Sequence, residues 1–525
     1  MTTDLSKTVR GAADTAVDIG DAEYLRRINA ARVYEVAVET PLSPAYQLSK
    51  RLDNEVFLKR EDMQPVHSFK LRGAYNKIAH LGAEQRERGV ICASAGNHAQ
   101  GVALSGRRLG IRALIVMPRT TPPIKVKAVE ALGGEIVLHG DSYDEASAHA
   151  HELEREQGLT YIHPYDDPDV IAGQGTIGME ILQQHPQDLH AIFCCVGGGG
   201  LVSGIAAYVK SVRPDIRVIG VEPDDAPSMT RALEVGERVV LEQVGLFADG
   251  AAVRQAGEEP FRIASRHVDA MITVSADEIC AAVRDIFEDT RSLAEPAGAL
   301  SLAGLKKYVA ETGITGQHLV AIESGANVNF DRLRYIAERA ELGEHREALL
   351  AVTIPERPGS FRRFCEILGV RGVTEFNYRY ADADEAHIFV GVKLDKGAAE
   401  RESIIAELRA AAYPVTDLST DEMAKLHVRY MVGGRAAGAE DEMLFRFEFP
   451  ERPGALLQFL NNVGERWNIS LFHYRNHGHA YGQVLVGMQV SPDERDDCRA
   501  ALDALGYTYA EESDNPAYRF FLSGG

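Results

Sequence analysis

Short apolar runs alternate with amphipathic stretches along the first 340 residues of the chain. The apolar runs have the length of buried strands, and the stretches between them repeat apolar residues with the period of a helix. Strands that are apolar on both faces and separated by helices indicate parallel strands covered on both sides. The pattern therefore predicts an α/β domain. Its predicted strands are 90–93, 113–117, 136–138, 191–196, 218–221 and 319–322, and its clearest predicted helices are 142–157 and 175–184.

The pattern changes beyond residue 330, where a charged, helix-prone stretch predicts a linker helix. An internal repeat follows: the sequence IPERPGS at 354–360 is echoed by FPERPGA at 449–455. In each copy a helix with a glycine stop and two strands come next, which is the order of a ferredoxin-like split βαβ unit. Two sister modules are expected, because two copies are too few for a solenoid. The matched segments are 361–368 with 456–463, 373–379 with 469–475 and 389–392 with 485–488.

These changes of pattern suggest how the 525 residues divide, since a chain of this length is expected to form two to four domains. We expect an N-terminal extension at 1–24, an α/β domain at 25–335, a linker helix at 336–347, a first module at 348–422 and a second at 442–522.

Composition narrows the possible partners and the compartment. The net charge of -21, from 56 basic and 77 acidic residues, argues against nucleic acid and anionic membrane as partners. No apolar run approaches the roughly 18 residues of a membrane helix, and the N-terminus lacks the apolar core of a secretory signal. Six cysteines are scattered, two of them adjacent at 194 and 195, which suits reduced thiols. A cytoplasmic protein is expected.

Four short stretches carry candidate chemistry. Lys70 lies in SFKLRGA beside apolar Phe69, and burial of this kind favours the neutral, nucleophilic amine. Residues 94–98, SAGNH, follow a predicted strand, where α/β sheets expose ligand loops. Gly197, Gly198, Gly199 and Gly200, with Leu201, join another strand to a helix, and the backbone N–H groups of such a turn can hold a phosphate. Ser324 follows a third strand.

In this order the four stretches resemble the pyridoxal-phosphate enzymes of the β-elimination fold, the threonine dehydratases in particular. The resemblance implies a tryptophan-synthase-β-like fold (fold type II) and pyridoxal 5'-phosphate as cofactor. It implies that Lys70 binds the cofactor covalently and acts as catalytic base. The remaining cofactor contacts would be Phe69, Asn97 at the 3′-oxygen, Gly197, Gly198, Gly199, Gly200 and Leu201 at the phosphate, and Ser324 at the pyridine nitrogen. The substrate carboxylate would lie against Ser94, Ala95, Gly96, Asn97 and His98.

Several residues refine this interpretation. Related serine racemases have a catalytic serine where this chain has Ala95, so efficient racemisation is not expected. A neutral hydroxyl at Ser324 does not force the pyridine nitrogen to stay protonated, which suits elimination better than transamination. Glu295 matches a family glutamate near the ring, although a structural glutamate at a helix start fits equally. Ser228 stands where a second carboxylate of a metal site is expected after Glu222, so no metal is predicted.

The resemblance implies conversion of L-threonine to 2-oxobutanoate and ammonia at the entry to isoleucine synthesis, by a homotetramer. The repeat resembles paired ACT-like regulatory modules that bind isoleucine as inhibitor and valine as counter-effector, with Tyr378 and Tyr474 as candidate contacts. A packing role for these tyrosines is the alternative. Other interpretations stay open: a serine dehydratase or threonine synthase of the same fold, or a non-catalytic amino-acid sensor. Threonine and serine both fit the motifs as substrates.

Overall fold

The computed structural model describes residues 19–522 except 186–187, 358, 370, 381–383, 432, 437, 451–454, 464–465 and 476–480. The chain folds as two compact units, the first ending at Ala340 and the second beginning at Glu341. The helix Arg332–Gly343 runs across this division and ends before the predicted linker bounds of 336–347 do, and the first strand of the second unit begins at Glu347. Within the described residues, no helix is both long and apolar enough to cross a membrane.

The first unit alternates strands and helices, as the sequence predicts. Its elements are α1 (Asp21–Asn29), β1 (Leu42–Pro44), α2 (Tyr46–Leu52), β2 (Glu55–Arg60), α3 (Lys70–Ala79), α4 (Ala83–Arg88), β3 (Val90–Ala93), α5 (Asn97–Leu109), β4 (Ala113–Met117), α6 (Pro123–Ala131), β5 (Glu135–Leu138), α7 (Tyr143–Gln157), β6 (Thr160–Tyr161), α8 (Pro168–Gln184), β7 (Ala191–Cys195), α9 (Gly200–Val212), β8 (Arg217–Pro223), α10 (Ser228–Val235), α11 (Glu258–His267), β9 (Ala270–Val274), α12 (Ala276–Thr290), α13 (Pro296–Thr312), β10 (His318–Glu323) and α14 (Arg332–Gly343), with single 3₁₀ turns at Glu61–Met63 and Asp249–Ala251.

The second unit contains two copies of a strand, helix, strand, strand, helix, strand series. Its elements are β11 (Glu347–Pro355), α15 (Ser360–Leu368), β12 (Val373–Arg379), β13 (Glu385–Lys393), α16 (Gly397–Ala410), β14 (Val415–Asp417), α17 (Glu422–Leu426), β15 (Glu442–Pro450), α18 (Ala455–Val463), β16 (Asn468–Arg475), β17 (Tyr481–Gln489), α19 (Arg495–Ala504), β18 (Thr508–Glu511) and α20 (Pro516–Phe521), with single 3₁₀ turns at Val428–Tyr430 and Pro492–Glu494.

Two sheets form the centre of the first unit. One has the order β1-β2-β10-β7-β8-β9 and the other the order β5-β4-β3-β6. The strands predicted from the apolar runs are confirmed, and those between β2 and β9 are parallel, as are those of the smaller sheet. β1 departs from the prediction because it pairs antiparallel with β2 at the sheet edge. In both sheets the loops that carry the candidate chemistry leave the carboxyl ends of strands, where α/β folds bind ligands.

A cluster of buried charges surrounds Arg72 on α3. Its guanidinium donates two hydrogen bonds to Glu61, at 2.7 and 2.8 Å, and two to Glu180, at 2.6 and 3.0 Å. Lys59 lies 2.6 Å from the same Glu180, and all four side chains are essentially inaccessible to solvent. Burial raises the pKa of Glu61, but the charge of Arg72 more than offsets this and holds it below its usual value. The two cations balance the two anions, so the cluster is neutral.

The two modules of the second unit share one eight-stranded sheet, with the order β14-β11-β13-β12-β16-β17-β15-β18. Strands β12 and β16 pair antiparallel at the seam between the modules. This register sets Phe376 opposite Tyr474 and Tyr378 opposite Phe472, so the two aromatic clusters noted in the sequence face each other across the seam. The ferredoxin-like order predicted for each copy is confirmed.

The internal repeat extends to side-chain contacts. A register shift interrupts β12 beside Thr374 and β16 beside Ser470, at equivalent positions of the two modules. In each case the hydroxyl donates a hydrogen bond to a buried glutamate on the first strand of its own module, Glu347 or Glu442. The modules are therefore related by sequence and by the irregularity of their strands.

Replacing Arg72 by methionine keeps the length of the side chain but leaves Glu61 and Glu180 with one cation between them. We expect a loss of about 3–5 kcal/mol of stability, because an uncompensated charge then stays buried. Urea unfolding followed by circular dichroism measures it. Arg26→Met is the matched control, since it breaks only an exposed pair with Glu23 and should change little. Equal behaviour of the two variants would contradict a supporting role for the buried cluster.

Candidate active and regulatory sites

The loop before α3 is joined to the loop after β10 by backbone hydrogen bonds. Ser68 and Gly325 form an isolated antiparallel bridge. The N–H of Phe69 donates to the carbonyl of Ser324 at 3.2 Å, and the N–H of Ala326 donates to the carbonyl of His67 at 2.9 Å. Main-chain hydrogen bonds thus hold two of the four predicted stretches, those of Lys70 and Ser324, side by side.

Lys70 is the first residue of α3, and its amine is withdrawn from bulk solvent. The Nζ atom donates to the carbonyl of Pro164 at 3.0 Å and lies 5.3 Å from the centroid of the Phe69 ring. Burial lowers the pKa of Lys70 to about 8, although the neighbouring Cys195 and Glu295 oppose the shift. A sizeable fraction of the amine is therefore neutral near physiological pH, as a nucleophile or base requires.

The glycine turn connects β7 to α9 in a conformation that side chains would obstruct. Gly199 has a φ of 96°, in the left-handed region. A Cβ on Gly198 would lie 2.2 Å from the ring of Tyr165, and one on Gly197 would lie 3.0 Å from the Cα of Ala251. The N–H groups of the first turn of α9, including that of Leu201, have no partner within the helix. They are suited to hold a phosphate.

The loop 94–98 follows β3 and leads into α5. Ser94 Oγ accepts a hydrogen bond from the N–H of Gly96 at 3.3 Å, and Ala95 lies between them. Asn97, the first residue of α5, donates from Nδ2 to Glu295 at 2.5 Å. His98 is almost fully buried, and its Nε2 lies 2.8 Å from the carbonyl of Ile162. Burial and the charge of Lys70 lower the pKa of His98 to about 3, so the imidazole is neutral.

Ser324 is buried directly after β10, with its Oγ 3.3 Å from the carbonyl of Ala297. The thiol of Cys195, the last residue of β7, is its neighbour. Burial raises the pKa of Cys195 to about 11, against the opposing effects of a hydrogen bond with Ser324 and the charge of Lys70. The thiol is therefore protonated at neutral pH, and it brings the end of β7 close to both Lys70 and Ser324.

The structure brings the four predicted stretches together around one site. It also adds residues that sequence reasoning missed as site members: Pro164, Tyr165, Cys195 and Asn327. Cys195 could have been noticed because it ends the strand that leads into the glycine turn. Pro164 and Tyr165 follow a two-residue strand that carries no strong pattern, so nothing in the sequence marked them.

Glu222, considered from the sequence as a metal ligand, is hydrogen-bonded to the start of a helix. Its carboxylate accepts hydrogen bonds from the N–H of Met229 at 2.8 Å and from the N–H and hydroxyl of Thr230 at 2.8 and 2.6 Å. It therefore caps the first turn of α10. Burial raises the pKa of Glu222 to about 7. Across the described ranges of the chain, no group of three His, Cys, Asp or Glu side chains could hold a metal ion.

A small, partly open cleft lies in the second unit between the start of α15 and the start of β16. Tyr378 lines it, with its hydroxyl donating to Glu356 at 2.6 Å. Burial and this carboxylate raise the pKa of Tyr378. Asn468 also donates to Glu356, at 3.0 Å, so both modules contribute polar groups. The apolar walls are Ile354, Phe361, Leu460, Trp467 and Ile469.

Tyr474, the second candidate effector contact, is buried at the seam and is not among the residues that line this cleft. The equivalent cleft of the second module would begin at the second Pro-Glu-Arg-Pro-Gly turn. Of that turn, 451–454 lie outside the described residues.

Comparison with known families defines the class of protein. Residues 34–325 match the family described as pyridoxal-phosphate dependent enzyme. Residues 338–428 and 433–522 each match the C-terminal regulatory domain of threonine dehydratase. The class is therefore that of the pyridoxal-phosphate-dependent enzymes, with a C-terminal regulatory domain present twice.

Individual relatives narrow the class. The biosynthetic L-threonine dehydratase of Burkholderia multivorans is 58% identical over 504 residues, 95% of this chain and 99% of that protein. The Escherichia coli protein of the same description is 57% identical over 503 residues, 96% of this chain and 98% of that protein. The chain belongs to the family of biosynthetic threonine dehydratases.

Solved structures agree with this placement. The processed form of threonine deaminase isoform 2 from Solanum lycopersicum is 50% identical, with a TM-score of 0.61, and the match covers 61% of this chain and 88% of that one. The T.th. threonine deaminase is 38% identical, with a TM-score of 0.55, and the match covers 58% of this chain and 99% of that one.

Gly198→Ala tests the shape of the glycine turn. The added Cβ would overlap the Tyr165 ring, and overpacking of this kind costs about 1–3 kcal/mol. We expect the turn to move and cofactor retention during dialysis, read from visible absorbance, to fall. Combining Gly198→Ala with Tyr165→Ala should restore part of the lost cofactor retention, because the ring that the added Cβ overlaps is then absent. Gly20→Ala, with nothing within 4 Å of the added Cβ, is the control. Full cofactor retention in Gly198→Ala would contradict the assignment of the glycine turn to the cofactor phosphate.

Proposed function

We propose that this enzyme converts L-threonine to 2-oxobutanoate and ammonia, as the first step of isoleucine biosynthesis. The observation that carries the proposal is the partly buried Lys70 amine, whose pKa is lowered to about 8, beside a loop that is joined by backbone hydrogen bonds to Ser324. A dehydratase needs an amine that is neutral part of the time and a pocket that excludes water. The family to which the chain belongs supports threonine as the substrate.

The residues present fit pyridoxal 5'-phosphate. Lys70 supplies the amine that binds its aldehyde, with Phe69 beside it, and the turn 197–201 supplies N–H groups for its phosphate. We assign Ser324 to the pyridine nitrogen, because a buried hydroxyl can donate to that nitrogen or accept from it. We assign Asn97 to the ring oxygen. When bound, the cofactor supplies the electron sink for cleavage of the substrate Cα–H bond.

The loop 94–98 is proposed to hold the substrate carboxylate. Its N–H groups lie at the start of α5, where a helix N-terminus favours an anion, and Ser94 adds a hydroxyl. His98 stays neutral and its Nε2 is hydrogen-bonded to the backbone carbonyl of Ile162, so it contributes shape to this pocket. Because Ala95 carries no hydroxyl, it cannot deliver a proton from this side.

Lys70 is then the base that accepts the Cα proton. The β-hydroxyl leaves with a proton as water, and uptake of one water by the resulting enamine releases ammonia and 2-oxobutanoate. The atoms balance, since one water is lost and one is gained, so the oxo acid is threonine less the elements of ammonia. Only the β-carbon substituent differs between threonine and serine, so preference between them depends on the space beside the loop 94–98.

Lys70→Ala should abolish turnover by many orders of magnitude, because it removes both the covalent anchor and the base. The fold should remain, since neighbouring contacts do not use this amine except at Pro164. Oxo-acid formation from threonine and from serine, with visible absorbance of the purified protein, measures the effect. Lys50→Ala, on the exposed face of α2, is the control. Turnover above a tenth of the parent rate would refute the assignment. Absence of the visible band in the parent would favour a non-catalytic sensor.

We further propose that isoleucine inhibits the enzyme and valine opposes it by binding the second unit. The double match to a regulatory domain of threonine dehydratase supports small-molecule control of some kind. The cleft beside Tyr378 has the chemistry for a branched amino acid: apolar walls for the side chain, Glu356 for an ammonium group and the first turn of α15 for a carboxylate.

Trp467 adds support for a ligand in this cleft. Among the residues that the structure describes, its buried indole N–H finds no acceptor, although this side chain lines the cleft. Buried donors are rarely left without a partner in the functional state of a protein. A carboxylate or carbonyl of a bound amino acid would provide one.

We also propose a homotetramer in the cytoplasm. An effector must favour one of two states to act, and a multi-subunit enzyme would express this as a sigmoidal threonine curve that isoleucine steepens. The buried thiols of all six cysteines are unpaired, which suits a reducing compartment. Light scattering of the purified enzyme tests the subunit number.

Tyr378→Ala should weaken isoleucine inhibition about tenfold or more while leaving activity without isoleucine near the parent value, because it opens the cleft and frees Glu356. Tyr378→Phe keeps the ring and removes only the hydroxyl, so it separates packing from hydrogen bonding. Inhibition curves for these variants, for Tyr474→Ala and for the control Tyr509→Ala on β18 provide the measurement. Unchanged inhibition in both Tyr378→Ala and Tyr474→Ala would indicate that these tyrosines only pack within the sheet and do not contact the effector.

A further inference from the structure

The side-chain amide of Asn97 is fixed in one orientation by a chain of hydrogen bonds. The oxygen and nitrogen ends of an asparagine have nearly the same shape, so only their partners decide which way the group points. Asn97 Oδ1 accepts from Asn327 Nδ2 at 2.7 Å, and Asn97 Nδ2 donates to Glu295 Oε1 at 2.5 Å. Both ends of the Asn97 amide are therefore engaged by the protein itself.

The chain of hydrogen bonds begins at a group that can act only as an acceptor. Asn327 Nδ2 also donates to the backbone carbonyl of Val66 at 2.8 Å, and a carbonyl can only accept. The end of Asn327 near Val66 must therefore be its nitrogen. That nitrogen is the group that meets Asn97, so the facing end of Asn97 must be its oxygen. Val66, four residues before Lys70, thus sets the direction of an amide on α5.

Glu295 is compatible with this orientation in either protonation state. It accepts from Asn97 through Oε1 and from the backbone N–H of Asn327. Burial and the nearby Asp249 raise the pKa of Glu295 to about 7, while the hydrogen bond from Asn97 opposes the shift. Even when protonated, the carboxyl group keeps one oxygen that can accept from Asn97. An ionised Glu295 can only accept, so it supports the same orientation, whereas a protonated Glu295 could donate or accept and leaves Asn327, which must donate, to decide it.

We propose that Asn327 is a positioning residue that turns the free N–H of Asn97 Nδ2 toward the ring oxygen of the cofactor. This nitrogen carries two N–H groups, of which Glu295 takes one. The second is left as a donor, which is what a negatively charged ring oxygen requires. The proposal rests on the cofactor contact of Asn97 proposed above.

Asn327→Asp tests it with almost no change in shape. An aspartate has no N–H to give, so it would repel both the Val66 carbonyl and Asn97 Oδ1 and favour the reversed amide. The cofactor oxygen would then face an acceptor. We expect the holoenzyme to release cofactor about tenfold faster or more on dialysis, and the pH midpoint of its visible absorbance band to shift. Asn329→Asp adds the same charge two residues away and should match the parent.

Three further variants make the outcome decisive. If Asn327→Asp does not fold, Asn327→Ala is measured instead: a smaller shift in the same direction supports the proposal, and parent-like behaviour overturns it. In an Asn97→Ala background, Asn327→Asp should add nothing, because its effect passes through Asn97, and a full additional effect would overturn the proposal. If Asn97→Ala releases cofactor at the parent rate, the proposed contact between Asn97 and the cofactor is wrong. If Asn97→Ala releases it faster but Asn327→Asp behaves as the parent, that contact stands and the positioning role of Asn327 is wrong.

Discussion

The charge of Arg72 can remain inside the first unit only while Glu61 and Glu180 both reach it. Isolated buried charges are too costly to keep, so this requirement fixes the 3₁₀ turn that carries Glu61, the helix α8 that carries Glu180 and the start of α3 in one arrangement. Lys70 lies two residues before Arg72 on α3. The position of the Lys70 amine therefore depends on a buried ion cluster centred two residues further along the same helix.

The same region shows how little of the site depends on flexible groups. Backbone hydrogen bonds hold the loop of Ser68 against that of Gly325, and a backbone carbonyl at Val66 sets the amides of Asn327 and Asn97. Because these contacts begin at the main chain, substitutions of neighbouring side chains should leave them in place. Preorganisation of this kind lowers the entropy that would otherwise be lost when cofactor and substrate bind.

Sequence patterns predicted the parallel strands, the repeat and the four stretches that meet at the candidate active site. Apolar strands and glycine turns leave strong local signals, because burial and a positive φ, as at Gly199, each restrict residue type. The edge strand Leu42–Pro44 and the contact of Pro164 with Lys70 left none. A three-residue strand is too short for periodicity, and a backbone carbonyl acts the same way in any residue. The pairing of β12 with β16 was equally out of reach, since register between distant strands depends on the whole sheet.

The seam between β12 and β16 joins two halves that are carried by one chain. In a symmetric pair of identical subunits, every substitution appears twice and must suit both sides of the interface. In this chain each module is encoded by its own part of the sequence, so a residue of one module can change while the equivalent residue of the other stays the same. Thr374 and Ser470, equivalent residues with the same hydrogen bond, already differ. The two halves of this sheet are therefore not bound by symmetry, and a substitution in one half leaves the other half unchanged.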